Sequence, residues 1–331
     1  MDLEIILASD VQAWNFELEE MATFDFYHTA EYHLLDNSGE GRLLVFKENG
    51  HTLLLPLIFR KIPDSDLLDV SSVYGYVGLL HSSDYPFSEA FRLLEEYFKK
   101  EKVISAFSRI HPLIFGADKF ERGELVCLNQ TTAIDLSLSL EQQFYAYSKS
   151  VQRHLNKQES KKINIRLGTK PEDVEVFIKL YYSAMDNLQA APDYYFSKQY
   201  FETLLNIQTF KSILIFCEKD GIVIAGGIFI ICNNLMTYHL GAIVAEYRIY
   251  SPLKLLIDYA RQIGTDNNCK TLHLGGGANS EKDGLFVFKS RMTSLRYDFC
   301  VWKWVVDSVC YQELTKCKQK SSFFPLYRAS I

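Results

Sequence analysis

Leu43 to Phe59, LLVFKENGHTLLLPLIF, and Ile213 to Phe229, ILIFCEKDGIVIAGGIF, share one pattern: an apolar run, an acid-containing turn that closes on glycine, and a second apolar run. Asn49-Gly50 and Asp220-Gly221 accept positive φ at both central turn positions, so each stretch predicts a hairpin. The second copy continues through Asn233-Asn234 into LMTYHLGA, which predicts a three-strand meander. Apolar residues three and four apart predict helices around these strands. Phe87, Ala90, Phe91, Leu94, Tyr97 and Phe98 make one such face, on a helix starting near Pro86. Val174, Phe177, Leu180, Tyr181 and Met185 make another, behind Thr169, Pro171 and an acidic first turn. A third helix starts at Ser251-Pro252, carries Leu255, Leu256 and Ala260, and stops at Gly264. Lys270 to Leu274 then returns as a strand that runs straight into glycines.

The order helix, helix, meander, helix, strand predicts an α/β or α+β layer fold, a mixed sheet flanked by helices. Its recurrence at similar depth in two equal halves predicts a duplication. The boundary is expected near residue 145, before the charged helix containing YSKSVQRHLNKQESKK, giving domains 1–145 and 146–299, with the tail 300–331 completing the first.

Composition narrows the picture. A chain of 331 residues, 48% hydrophobic and 14% aromatic, fills two cores of about 150 residues and is neither disordered nor fibrous. A formal charge of −6 argues against a broad nucleic-acid-coating surface and against DNA as a partner, though not against a local basic patch. MDLEIILASD lacks a basic, cleavable leader, and no run approaches the about 18 apolar residues of a membrane span. A cytoplasmic protein is expected, or one peripheral at the inner membrane surface. Cys127, Cys217, Cys232, Cys269, Cys300, Cys310 and Cys317 are scattered and form no close pair, so packed thiols are expected rather than a disulfide frame or a metal site.

Candidate chemistry concentrates in HLGGGANSEKDGLFVFKSRM, His273 to Met292. Gly275, Gly276 and Gly277 follow a strand and expose backbone N–H groups, the context of an anion loop. They equally suit a turn with positive φ or close packing. No GKS or GKT follows and GxGxxG is absent, so a nucleotide-triphosphatase or dinucleotide site has no support. Lys289, after Asp283 and between aromatic and apolar neighbours, can bring one positive charge to a phosphate or a developing oxyanion. Its stem can also simply cover apolar surface.

This stretch resembles the C-terminal signature of the FemAB-like acyltransferases of the GNAT superfamily. That signature has a glycine-rich LGG segment (Leu274 to Gly277), an acidic/glycine linker (Asp283-Gly284) and an FK motif (Phe288-Lys289), with Met292 where a second aromatic is usual. Similar motifs follow the family's order elsewhere. They are Ser72 to Gly78, Phe107 to Pro112, Thr132 to Leu136, Arg153, Tyr181 and Met185. Tyr194-Tyr195-Phe196, Gly226-Gly227, Tyr238 to Gly241 and Pro252 complete the series. The resemblance spans roughly residues 10 to 305 and implies two tandem GNAT-like acyl-CoA N-acyltransferase domains.

It also implies transfer of an acyl or aminoacyl group to an amine, on an envelope or polysaccharide precursor. The donor would be acyl-CoA or, as in the peptidoglycan-bridge branch, aminoacyl-tRNA; the acceptor would be a small-molecule or sugar-linked amine. No metal is required. Lys289 becomes the electrostatic candidate. Tyr238 and His239 lie where the meander approaches the cleft, although strand neighbours reach one substrate only through a bulge. His239 can relay a proton or pack as an ordinary histidine. Tyr74 and Tyr76 share a face for substrate binding or for packing, and Tyr195 joins them by resemblance. Arg109 and Arg153 are candidate phosphate contacts. Arg153 belongs to a run with Lys149, Lys157, Lys161, Lys162 and Arg166 that is either a solvated face or a guide for a nucleotide-linked donor. The usual pyrophosphate loop is replaced by Ala245 to Pro252, where Ser251 and the helix start can still receive an anion. Together with Met292, that replacement leaves open a catalytically silent protein that binds a glycan or nucleotide-linked metabolite.

Overall fold

The computed structural model describes residues 1–82, 88–114, 116–157, 160–277, 283–319 and 321–329, with the side chain of Lys161 excepted. Pro86 and Phe87, expected to open a helix, and residues 278–282 of the glycine-rich stretch lie outside the described residues.

The chain divides into two units, Met1–Asn129 with Asp298–Ile331, and Gln130–Tyr297. In chain order the elements are β1 (Asp2–Leu7), α1 (Val11–Glu19), α2 (Ala30–His33), β2 (Glu40–Glu48), β3 (His51–Lys61), β4 (Leu68–Ser71), β5 (Leu80–His81), α3 (Ser88–Lys100), β6 (Val103–Arg109) and β7 (Glu124–Asp135). They continue with α4 (Leu140–Tyr145), α5 (Lys149–Leu155), β8 (Asn164–Leu167), α6 (Pro171–Leu188), α7 (Lys198–Asn206), β9 (Lys211–Lys219), β10 (Ile222–Cys232) and β11 (Leu235–Ile243). Last come α8 (Pro252–Asp266), β12 (Thr271–Gly275), α9 (Gly284–Ser290), β13 (Arg296–Val305) and α10 (Ser308–Thr315).

The duplication is complete at the level of pairing. In the first unit β1, β2, β3 and β4 pair antiparallel in succession, and β4 then pairs parallel with β6 across α3. In the second, β8, β9, β10 and β11 do the same, and β11 pairs parallel with β12 across α8. The predicted turns form as expected: Asn49, Gly50, Asp220 and Gly221 all have positive φ. The closing strand of each sheet is exchanged. β7 pairs antiparallel with β12 in the second unit, and β13 pairs antiparallel with β6 in the first. The units therefore change over inside β7, at Asn129/Gln130, and the sequence position 145 falls at the end of α4.

Each sheet buries apolar residues on both faces. In the first unit Trp14, Phe46, Phe91, Phe98 and Trp302 are fully enclosed. α3 supplies Ala90, Phe91, Leu94 and Phe98 at helical spacing and keeps the Arg92–Glu89 and Lys99–Glu95 ion pairs outside. In the second, a Cβ on Gly226 would meet Phe177 of α6, and one on Gly227 would meet Leu256 of α8. Alternation along β10 thus puts α6 and α8 on opposite faces. α8 runs past Gly264 to Asp266 because that glycine admits close neighbours: a Cβ there would lie 2.7 Å from Leu136 and 2.9 Å from Met236.

One cysteine expectation is corrected. Cys127 of β7 and Cys300 of β13 form a disulfide. They lie 173 residues apart in sequence, and only the exchange of strands makes them neighbours. Cys217, Cys232 and Cys269 are buried thiols as expected, and burial pushes Cys217 up to about 12, whereas Cys310 is half-buried and Cys317 exposed, not packed.

Candidate active site around Lys289

β11 and β12 run parallel but pair over three residues only, Leu235–Thr271, Met236–Leu272 and Thr237–His273. β11 then continues to Ile243, while β12 ends on Gly275, whose φ of 75° turns the chain. Parallel strands that part at their carboxyl ends leave the crevice in which α/β proteins hold ligands. α9 is the helix that follows β12 in the chain. The Asp283 carboxylate caps this helix by accepting from the Phe286 N–H at 2.9 Å.

That placement sends Lys289 inward. Its Nζ donates to the Gly276 carbonyl at 2.9 Å and lies 5.8 Å from the centroid of the Tyr238 ring, so the amine spans the two diverging strands. Lys289 is only 8% exposed. Burial lowers its pKa to about 8, with Asp283 opposing. An ammonium has three N–H donors; among the described residues one is used, and two remain for a substrate oxygen.

Tyr238 stacks on Phe229 with ring centroids 4.9 Å apart. Its hydroxyl sits where Gly241 has no side chain, since a Cβ there would stand 1.8 Å away. Gly227, the register partner of Gly241, clears the other side of the same slot. Burial raises the Tyr238 pKa far above the ordinary phenol value, so the hydroxyl stays protonated.

His239 does not join them. The register jumps from Ile228–Leu240 to Phe229–Tyr238, which makes His239 the extra residue of a β-bulge. The bulge was the condition for bringing both side chains to one substrate, yet His239 packs on the other helix layer. Its Nε2 lies 2.8 Å from the Tyr200 hydroxyl of α7, buried. A packed, hydrogen-bonded histidine is what the structure shows.

Ser251, at φ 43°, precedes α8 and leaves the helix start without a side-chain cap. Around it gather cations that are unremarkable one by one in the sequence. Lys254 lies in the first turn of α8, His154 and Lys157 come from the end of α5, and Arg291 follows α9. The His154 pKa is lowered by burial and then by Lys254 and Lys157. The Lys254 pKa falls through burial and then through Arg291 and Lys157. None of these four pairs with a carboxylate among the described residues. Sequence reading missed this cluster because three separate elements supply it.

The other expected site residues are dispersed. Gly275 accepts from the Thr132 hydroxyl at 3.4 Å, and Gly276 serves Lys289. Gly277 is half-buried beside them. Arg153 is exposed on α5 and donates to the Lys149 carbonyl, and Arg166 is engaged by Asp173 and Glu218. Arg153 fits the solvated-face reading of that run, whereas Lys157 of the same run joins the cluster at Ser251. Tyr195 donates to Asp186 at 2.8 Å, at the far end of α6.

In the first unit, Tyr74 to Gly78 folds onto an aromatic layer. A Cβ on Gly75 would stand 2.0 Å from the Tyr27 ring, and the Tyr74 carbonyl accepts from the Tyr32 hydroxyl at 2.9 Å. Tyr76 meets Tyr27 and Phe299 edge-on. Arg109 ends β6, half-buried, with its guanidinium 5.5 Å from the Phe107 ring and no carboxylate partner among the described residues. Beneath lies a network that the sequence did not reveal. His111 accepts from the Leu113 N–H at its Nδ1 and faces the Asp25 carboxylate, 3.2 Å from Nε2. Burial holds His28 at about 3 and His33 at about 4. Two surface concavities, of about 600 and 450 Å³, lie at the β2–β3 turn and beside Phe210, and neither touches Lys289.

Comparison with known proteins bears on the fold. Residues 142–283 match the family model for the acetyltransferase (GNAT) domain. No curated protein matches the chain in sequence. Among solved structures, FemX superposes with a TM-score of 0.70 at 12% identity, covering 95% of this chain and 99% of its own. L-PGS from Bacillus licheniformis gives 0.59 at 12% identity, over 89% and 91%. A tandem GNAT protein from the clavulanic acid biosynthesis pathway gives 0.51 at 11% identity, over 91% and 98%. At these identities the likeness is one of fold.

Proposed function

We propose that this chain, whose residues 142–283 match the acetyltransferase (GNAT) domain and whose fold is that of FemX, is a GNAT-superfamily acyltransferase that moves an acyl or aminoacyl group onto an amine at the Lys289 crevice. One observation carries the reading: a buried ammonium, its pKa lowered by burial and with donors unused among the described residues, stands where two parallel strands part. The acceptor amine attacks in its neutral form, and a C–N bond forms at the donor carbonyl. The oxygen of the tetrahedral intermediate takes its negative charge beside Lys289 Nζ, in surroundings dry enough to make that charge pair count. Collapse breaks the C–S bond of a thioester, or the C–O bond of an aminoacyl ester, and the proton lost by the amine leaves with the thiol or hydroxyl. Tyr238 positions the lysine through its ring and offers a neutral O–H.

Acyl-CoA is the first donor to test and aminoacyl-tRNA the second. The phosphates of either suit Ser251, the α8 start and the basic cluster there. Arg109, with Tyr74 and Tyr76, is the corresponding candidate for an acceptor that carries phosphate or sugar, as an envelope or polysaccharide precursor would. Met292, where the family signature has an aromatic, is fully enclosed in the core it shares with Leu255, Leu256 and Ile257.

Calorimetry with acetyl-CoA, longer acyl-CoAs and charged or uncharged tRNA, followed by transfer to an amine panel, tests the proposal. Binding of one donor with turnover that Lys289→Ala abolishes supports it. Tight binding without turnover, unchanged in Lys289→Ala, refutes it in favour of a silent metabolite-binding protein.

A further inference from the structure

The Cys127–Cys300 bond lies where the chain leaves its first unit and where it comes back. Cys127 stands two residues before Asn129, the last of the outgoing stretch, and Cys300 two residues after Asp298, the first of the returning one. The bond therefore clasps the outgoing strand to the returning strand. Its partners are 173 residues apart in sequence, and the loop it closes contains the whole second unit. The two sulfurs differ in access. Cys300 is 7% exposed, in the first core with Trp302, whereas Cys127 is exposed on β7. β7 changes character along its length: Glu124, Leu125, Cys127 and Leu128 are exposed, and Thr131 to Ile134 are buried. Burial fixes the second half of this strand, and a covalent bond reinforces the first half, where burial is lacking.

We propose that this bond is a thiol–disulfide exchange site, opened by a dithiol reductant and closed by oxidation, whose state sets the order of the strands that feed the Lys289 crevice. Exposed disulfides exchange readily, and here the exposed sulfur is the one to be attacked. A thiolate of the reductant bonds to Cys127 Sγ, the Cys127–Cys300 bond breaks, and Cys300 leaves as a thiolate that takes up a proton. The second thiol of the reductant then displaces Cys127, which gains a proton in turn, and the reductant departs as a disulfide, oxidised by two electrons. The consequence travels along both strands. β7 runs on to pair with β12, where the Thr132 hydroxyl donates to the Gly275 carbonyl at 3.4 Å, next to the Gly276 carbonyl that receives Lys289. On the returning side, the Thr293 hydroxyl donates to the Ala133 carbonyl at 2.8 Å. The Arg296 guanidinium, at the start of β13, donates to the Ser290 carbonyl at the end of α9 at 3.1 Å. Opening the bond releases both ends of the second unit at once, so β12 and α9 lose order and transfer slows. The effect on transfer rests on the function proposed above; the exchange and the loosening do not.

The test treats the whole oxidised protein with dithiothreitol in native buffer and follows amide hydrogen exchange by mass spectrometry. Thiols are counted in denaturant after the treatment, and Cys127→Ser serves as a permanently open form. The expected thiol count rises from five to seven without any denaturant during reduction. Amides of β12 and α9 then exchange about tenfold faster or more, while those of α3 keep their rates. Cys127→Ser exchanges like the reduced parent with or without dithiothreitol, and reoxidation restores slow exchange in the parent alone. A bond that resists dithiothreitol in native buffer overturns the proposal. So does reduction that leaves β12 and α9 unchanged, or a Cys127→Ser variant as slow as the oxidised parent, since either result leaves a structural staple only. Absence of transfer in both redox forms counts against the amine-transfer reading alone, because the exchange rates decide the switch without any substrate.

Discussion

Replacing Lys289 by methionine removes the reacting charge and should make the protein more stable. The lysine pKa falls from 10.5 to about 8 on folding, chiefly through burial. At about 1.4 kcal/mol per tenfold change in proton affinity, that fall is worth about 3 kcal/mol. The sign follows from proton counting. Below pH 8 both folded and unfolded chains hold the proton, and the folded state carries the whole cost of enclosing it. Between pH 8 and 10.5 the folded state has released the proton and the unfolded state has not, so stability from this group rises with pH. Above 10.5 the cost is gone. Methionine keeps the stem and drops the ammonium, and the lost hydrogen bond to Gly276 returns about 1 kcal/mol of the gain. The balance at pH 7 is about 2 kcal/mol, a rise in midpoint of about 4–8 °C for a unit of this size. Differential scanning calorimetry at pH 7, 8.5 and 10 reads it, with the second unit's transition followed separately. A methionine variant that melts lower than the parent at pH 7, or an advantage that persists undiminished at pH 10, would refute a buried ammonium here. Transfer by the same variant should be lost, which would mark Lys289 as a site where stability is given up for function.

Acid should destabilise the first unit before the second. His28 and His33 stay neutral when folded, near pKa values of about 3 and 4, so stability present above pH 6.5 is lost as pH falls through 6.5 towards those values. At pH 5 each costs about 2 kcal/mol, and a first-unit transition that does not move between pH 7 and pH 5 sinks the idea. Gly241→Ala should cost about 1–3 kcal/mol by forcing the Tyr238 hydroxyl from its slot, and Tyr238→Leu in the same chain should restore part of the loss. A melt in which Gly241→Ala is silent would show that the slot has room. Thiol titration in denaturant should count five thiols without reductant and all seven cysteines after it. Seven from the outset would remove the Cys127–Cys300 bond.

The duplicated core was legible because its signals are local. Asn49-Gly50 and Asp220-Gly221 need only their own backbone to make a turn, and the spacing in α3, α6 and α8 needs only one helix. Lys289 was legible for a different reason: a motif order resembled a family, and the motif lysine proved to be enclosed. Its partners were visible only in part. Tyr238 could be named from the meander, but the slot made by Gly227 and Gly241 depends on the register between two strands. His239 shows the limit from the other side. A bulge was the stated condition for its joining the site, the bulge exists, and the side chain still goes to Tyr200, because the packing of α7 decides the direction.

Long-range exchange hid the remainder. Nothing near Cys127 announces Cys300, and nothing near Glu124 tells a reader that β7 ends beside β12. The cations at Ser251 were hidden in the same manner: Lys157, Lys254 and Arg291 are single charges on three elements, and each alone reads as surface. Both the disulfide and the cluster arise from one event, the return of the chain after β12. That return carries α9 and, after it, Arg291 to the start of α8 and sends β13 to close the first sheet. The segment that supplies the candidate catalytic amine to one unit is therefore the segment that completes the other. Substitutions in β13 that loosen the first sheet should on this logic reach the Lys289 crevice through the chain itself, from a position that no motif around the site would mark.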